Sequence, residues 1–186
     1  VAIMKSNGGE TTPEVACQQP VQLLLSGPSG GVVATQHLAK ANGIERVMTF
    51  DMGGTSCDCA ICIDGVVNLT TDFEVEWGLP VQIPMVDVRT IGAGGGSIAQ
   101  VDRLGRLQIG PESAGSEPGP AAFAKGGTAP TVTDADVELG LIDPGLFAEG
   151  RLEINVQAAE TALATHLGAP MDLTAAQVAE GISEIV

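Results

Sequence analysis

Asp51-Met52-Gly53-Gly54-Thr55-Ser56 is the stretch whose residue types and spacing can do chemistry. An apolar, β-type run from Arg46 to Phe50 ends in Asp51, and a second run returns from Cys59 to Ile63. An aspartate at a strand end can hold Mg²⁺, usually through water, because that hard cation keeps part of its hydration shell. Paired glycines let backbone N–H groups approach an anion with no Cβ in the way, and neighbouring hydroxyls add donors. The pattern therefore reads as a nucleotide-phosphate loop between two strands. The same residues also fit a tight hairpin whose glycines bind nothing, and the motif alone leaves both readings open.

Two further glycine clusters raise the same question. Ser26-Gly27-Pro28-Ser29-Gly30-Gly31 is read as a connection from a strand (Val21 to Leu25) to a helix (Val32 to Ala41). Free amides at such a helix start attract anions, although a tight packing turn fits equally well. The cluster lacks the Gly-Lys-Ser/Thr ending of a Walker loop, which excludes a P-loop ATPase for this segment. Ile91-Gly92-Ala93-Gly94-Gly95-Gly96-Ser97 follows another strand, where ligands collect in α/β sheets. β-type residues come next instead of a helix, so the dinucleotide fingerprint fails. Adjacent glycines cost backbone entropy, which favours a close-approach role here.

Composition narrows the class. With 44% hydrophobic and 17% charged residues over 186 positions, the chain has the make-up of a folded protein. Its net charge of -15 argues against a nucleic-acid or anionic-membrane surface and requires any anion site to be built from local amides. One Trp, four Phe and no Tyr leave little for base stacking. No apolar run reaches a membrane span and no signal peptide is visible, so a soluble, cytoplasmic protein is expected. Cys57, Cys59 and Cys62 have half the spacing of a thiolate metal site, but no matching His/Cys cluster occurs elsewhere. Buried packing is the favoured reading and metal binding the alternative.

These residues must be held by an α/β arrangement. Short strands are expected at Val1 to Met4, Val66 to Leu69 and Val86 to Ile91, with a hairpin turn at Asp64-Gly65. Thr12 caps a short helix that begins at Pro13. Ile98 to Val101 and Leu107 to Ile109 flank the turn at Asp102 to Arg106. Residues 1–110 are thus a sheet region and 111–130 a Gly/Pro-rich loop. Residues 131–186 are helical, with helices at Thr133 to Leu141, Val156 to Leu167 ending at Gly168, and Thr174 to Val186.

Several of these stretches, in order and spacing, resemble the hydantoinase A / 5-oxoprolinase family, which includes N-methylhydantoinase A and acetone and acetophenone carboxylase subunits. They are Ser6-Asn7-Gly8-Gly9, Ser26 to Val32, Asp51 to Ser56, Thr90 to Ala99, Gly110 to Gly115, Pro118-Gly119-Pro120 and Pro130-Thr131-Val132-Thr133-Asp134-Ala135. The likeness covers about residues 3 to 186. It implies a ribonuclease-H-like lobe of an actin/hexokinase/Hsp70-type ATPase fold, incomplete here, with C-terminal helices. In that arrangement two lobes clamp ATP between two phosphate loops.

The resemblance assigns Asp51 as the catalytic residue that holds the magnesium-bound water, and Gly53, Gly54, Thr55 and Ser56 as the second phosphate loop. Gly94, Gly95, Gly96 and Ser97 match a glycine turn near the nucleotide. ATP and Mg²⁺ are the implied cofactors and a small cyclic amide the implied substrate. A ketone, taken by the family's carboxylases, is the alternative. The implied partners are the missing N-terminal lobe of the same polypeptide, which carries the first phosphate loop, and a hydantoinase B-type subunit. The chain is expected to be the central piece of a longer ATP-dependent amidohydrolase and to be inactive when isolated. Two departures stand out. Cys57 and Cys59 replace a Thr and a Val of the family loop, and Ala121-Ala122-Phe123 stands where the family has Ala-Cys-Tyr.

Overall fold

The computed structural model describes residues 1–186 as mixed α/β, with several small sheets and helices. The chain forms two compact units, Val1–Asp51 with Asp58–Thr90, and Met52–Cys57 with Ile91–Val186.

In the first unit β1 (Ile3–Met4) pairs antiparallel with β2 (Glu10–Thr11). Helix α1 (Pro13–Gln18) starts as expected, with Pro13 at its first position and the Thr12 hydroxyl accepting from Val15 N–H. The strand expected at Val21 to Leu25 is not formed; Pro20–Leu23 is a 3-10 turn. Remote Ser6 is the cause. Its N–H and hydroxyl both donate to the Gln22 carbonyl, at 2.7 Å each, and its Oγ accepts from Leu25 N–H. Those backbone groups are lost to a sheet.

The glycine cluster that follows is likewise not a loop. Helix α2 spans Ser26–Ala41, so residues 26 to 31 are its opening turns, not a strand-to-helix connection. Pro28 is tolerated there because first-turn amides have no helical partner. Buried Ser29 anchors the turn by donating to the Ser6 and Leu25 carbonyls.

Strand β3 (Arg46–Met52) runs two residues further than the sequence pattern suggested, which places Asp51 inside the strand. It pairs with β4 (Cys57–Ile63), which also pairs antiparallel with β5 (Val66–Val67). Asp64 and Gly65 make the two-residue turn with φ of 53° and 70°, the left-handed geometry such hairpins require. β6 (Leu69–Thr70) pairs with β7 (Met85–Val86), and β8 (Arg89–Ile91) pairs with β4. The single strand expected at 86 to 91 is thus broken by a tight turn at Asp87, where Val88 N–H donates to the Val86 carbonyl at 2.9 Å, and its two parts pair with different strands. Val32, Ala60 and Val86 form this unit's core. Cys57 and Cys62 are buried and Cys59 half-buried, and no group of three or more His, Cys, Asp or Glu is gathered for a metal ion.

In the second unit β9 (Ser97–Val101) and β10 (Leu107–Ser113) form the expected hairpin, with Ala99 opposite Ile109. Helix α3 (Val132–Glu138) and helix α4 (Val156–Leu163) follow. α4 does not stop at Gly168. It continues through a π-helical stretch, Ala164–Gly168, into α5 (Ala169–Met171) and ends at Asp172 with φ 57°. A Cβ on Gly168 would come within 2.7 Å of the Leu173 carbonyl, so that glycine serves close packing and not termination. Helix α6 (Ala175–Ile185) begins at a Thr174–Gln177 capping box. Its buried face (Val178, Ala179, Ile182) meets Val132, Leu163 and Leu167 in the larger core. No helix is long and apolar enough to cross a membrane.

Asp136 on α3 is half-buried, and burial raises its pKa above the ordinary 3.8. A carboxyl whose folded pKa exceeds its unfolded one stabilises most below the unfolded value and loses that contribution as pH rises through the folded value. Asp136→Asn is therefore expected to raise the melting temperature at neutral pH, with the gain vanishing as pH falls below the ordinary aspartate range. Thermal melts of both forms across pH 3 to 7 would check this; a gain that does not depend on pH would contradict it.

Candidate phosphate site

Residues 53 to 56 join β3 to β4, and Met52–Cys57 belongs to the second unit. Gly53 N–H donates to the Ser56 carbonyl at 2.8 Å, which closes the loop on itself. Gly53, Gly54 and Thr55 are exposed and Ser56 is half-buried. The N–H groups of Gly54, Thr55 and Ser56 have no acceptor in the chain. Three amides and two hydroxyls at an exposed, closed turn are the donor set an anion requires.

The second glycine cluster stands directly behind this loop. Gly95 N–H donates to the Gly53 carbonyl at 2.9 Å, and Gly96 N–H to the Gly54 carbonyl at 2.6 Å. Gly94 N–H donates to Ser97 Oγ, and Ser97 N–H to the Gly94 carbonyl, both at 2.9 Å. All four amides of Gly94 to Ser97 are thus committed within the chain. The glycines are required by contact. A Cβ on Gly94 would lie 2.5 Å from Ser56 N, and one on Gly96 would lie 2.7 Å from the Gly54 carbonyl oxygen. The structure brings residues 53–56 and 94–97 together as loop and backing.

The backing is itself held. Gly95 and Gly96 carbonyls accept from Thr133 and Ala114 N–H, each at 2.8 Å. Thr131 caps α3 by accepting from Asp134 N–H. Asp134 is fully buried and its carboxylate accepts from Ala122 N–H (2.7 Å), Thr131 N–H (2.8 Å), Thr131 Oγ (2.8 Å) and Ala121 N–H (3.3 Å). Burial raises its pKa despite these four bonds, each of which acts in the opposite direction. Sequence reasoning assigned Thr133 and Asp134 no site role. The signal was there: a Thr-x-x-Asp capping box in the Pro130–Ala135 motif, with an acid inside an otherwise apolar stretch.

Asp51 belongs to the first unit. It is exposed and lines a cavity of about 330 Å³ with Gly31, Thr35, Thr49, Phe50 and Asp58. Thr90 Oγ donates to Asp58 Oδ1 at 2.6 Å. An exposed carboxylate with no basic partner suits a hydrated divalent cation.

The hydantoinase/oxoprolinase family matches residues 1–186. Caprolactamase subunit alpha of Pseudomonas jessenii is 40% identical over 182 residues, covering 98% of this chain and 26% of the relative. Acetophenone carboxylase gamma subunit of Aromatoleum aromaticum is 41% identical over 161 residues, covering 86% and 22%. A nucleotide-free structure of acetone carboxylase, described as carrying out ATP-dependent acetone carboxylation, matches with a TM-score of 0.84 and 27% identity over 99% of this chain and 26% of that one. The chain spans about a quarter of the length of these relatives. A family match from its first residue to its last, with relatives 40% and 41% identical to it, places the chain in the hydantoinase/oxoprolinase family.

Proposed function

We propose that this chain supplies a phosphate-binding loop of an ATP-dependent enzyme that opens a cyclic amide. The observation that carries the reading is the exposed 53–56 loop, whose free amides are held in place by a glycine turn that tolerates no side chain. On this reading Gly54, Thr55 and Ser56 hold phosphate through N–H groups and hydroxyls. Asp51 would hold a hydrated Mg²⁺. Gly94 to Ser97 act through the loop they support, since their own amides are engaged. ATP, when bound, supplies a transferable phosphoryl group, and the protein contributes positioning and charge neutralisation. The resemblance to an actin/hexokinase/Hsp70-type lobe adds that a further lobe with its own phosphate loop, and a hydantoinase B-type subunit, complete the site.

A ketone carboxylase is the second reading. It is favoured by the 41% identity to an acetophenone carboxylase subunit, level with the 40% to caprolactamase alpha. ATP turnover by the complete protein, measured with a cyclic amide and then with a ketone plus bicarbonate, separates the two. In that assay Asp51→Asn is expected to lower kcat by about 10²-fold, the scale of losing one charge-stabilising group, with no change in melting temperature. An unchanged rate would remove Asp51 from the chemistry.

A further inference from the structure

We infer that Thr133 is an additional phosphate-contacting residue, its side-chain hydroxyl donating to the phosphoryl group held by the 53–56 loop. The inference rests on the phosphate reading of that loop. Thr133 is 6% exposed. Its N–H is fixed on the Gly95 carbonyl at 2.8 Å, while its hydroxyl makes no hydrogen bond within the chain. No side-chain oxygen sealed inside the protein lacks a partner. The Thr133 oxygen therefore keeps an opening to the outside, despite the burial of the residue. Buried polar groups normally find partners, so a nearly buried, unspent donor calls for one.

Gly95 places that donor near the loop. A Cβ there would lie 2.7 Å from Thr133 Oγ and 3.8 Å from the Gly53 carbonyl oxygen. The missing side chain leaves room for the hydroxyl beside Gly95, on the side of that residue where the Gly53 carbonyl of the loop also lies. Orientation is secured from behind, because Asp134 locks the start of α3 through Thr131, Ala121 and Ala122.

The test compares Thr133→Val, which keeps the shape and removes the hydroxyl, with Thr133→Ser, which keeps the hydroxyl. Both are made in the complete protein, and MgATP affinity, ATP turnover and thermal melting are measured, with Asp51→Asn alongside. Thr133→Val is expected to weaken MgATP binding or turnover by about tenfold to a hundredfold, the scale of one hydrogen bond to a charged group. Its melting temperature is expected to hold, and Thr133→Ser to stay near the native values. Native-like behaviour of Thr133→Val, or a loss in Thr133→Ser equal to that in Thr133→Val, overturns the inference. If Thr133→Val loses its native melting transition, Thr133→Ala takes its place, and the same two outcomes overturn the inference. Native-like Thr133→Val in a protein that binds MgATP rejects the inference alone, whereas failure of the native protein to bind MgATP rejects the loop reading and the inference with it.

Discussion

Gly94→Ala is expected to abolish most ATP-dependent activity while leaving most of the fold intact. The added methyl would stand 2.5 Å from Ser56 N, 2.7 Å from the Gly53 carbonyl oxygen and 2.7 Å from the Thr55 carbonyl carbon. All three are backbone atoms, so no rotamer change relieves the contact, and the loop itself must move. Overpacking of this kind costs about 1–3 kcal/mol, a tolerable loss for a domain with roughly 5–15 kcal/mol in hand. Activity suffers more, because a misplacement on the order of 1 Å at a phosphate site costs about 10²-fold. Gly30→Ala is the matched control. Gly30 lies within α2 with nothing within 4 Å of its would-be Cβ. There the exchange should stabilise by about 1 kcal/mol. Parallel melts and ATP assays check both, and an active Gly94→Ala enzyme would refute the packing argument.

The second large effect belongs to Asp134. Asp134→Ala leaves three N–H groups, those of Ala121, Ala122 and Thr131, and the Thr131 hydroxyl without their acceptor in a fully buried place. Each unsatisfied buried donor costs about 1–3 kcal/mol. Against this stands the relief of no longer burying a carboxylate, the same cost that raises its pKa. With four donors orphaned at once, a net loss of about 3–5 kcal/mol is expected. Asp134→Asn should be little better, because its NH₂ would face N–H groups. Chemical denaturation checks the loss; a midpoint within experimental error of the native one would show that the clamp is dispensable. Because Thr133 N–H holds Gly95, partial loosening should also appear as weaker nucleotide binding before the protein unfolds.

What was legible in the sequence was local. The hairpin around Asp102 to Arg106, the Thr12 and Thr174 caps and the Asp64-Gly65 turn each depend on neighbours within a few residues, and each formed as expected. Residues 21 to 31 misled because Ser6, far away in the chain, claims their backbone groups. Gly168 looked like a helix stop, but its lack of a side chain serves the approach of Leu173. The site divides in the same way. The 53–56 loop could be read from consecutive residues. Its dependence on Gly94 to Gly96, and theirs on Thr133, could not, because those bonds join segments that only folding brings together.

The chain passes between its two units at residues 51–52, 57–58 and 90–91. The loop of residues 53–56 is therefore not a portable cassette. A transplant of Arg46 to Ile63 would carry the strands and the signature but leave Gly53 and Gly54 without their backing. A transplant of Ile91 onward would carry the backing with nothing to hold. Recombination that preserves the proposed chemistry has to move both stretches together, so the heritable unit of the candidate site is several times longer than the motif that announces it.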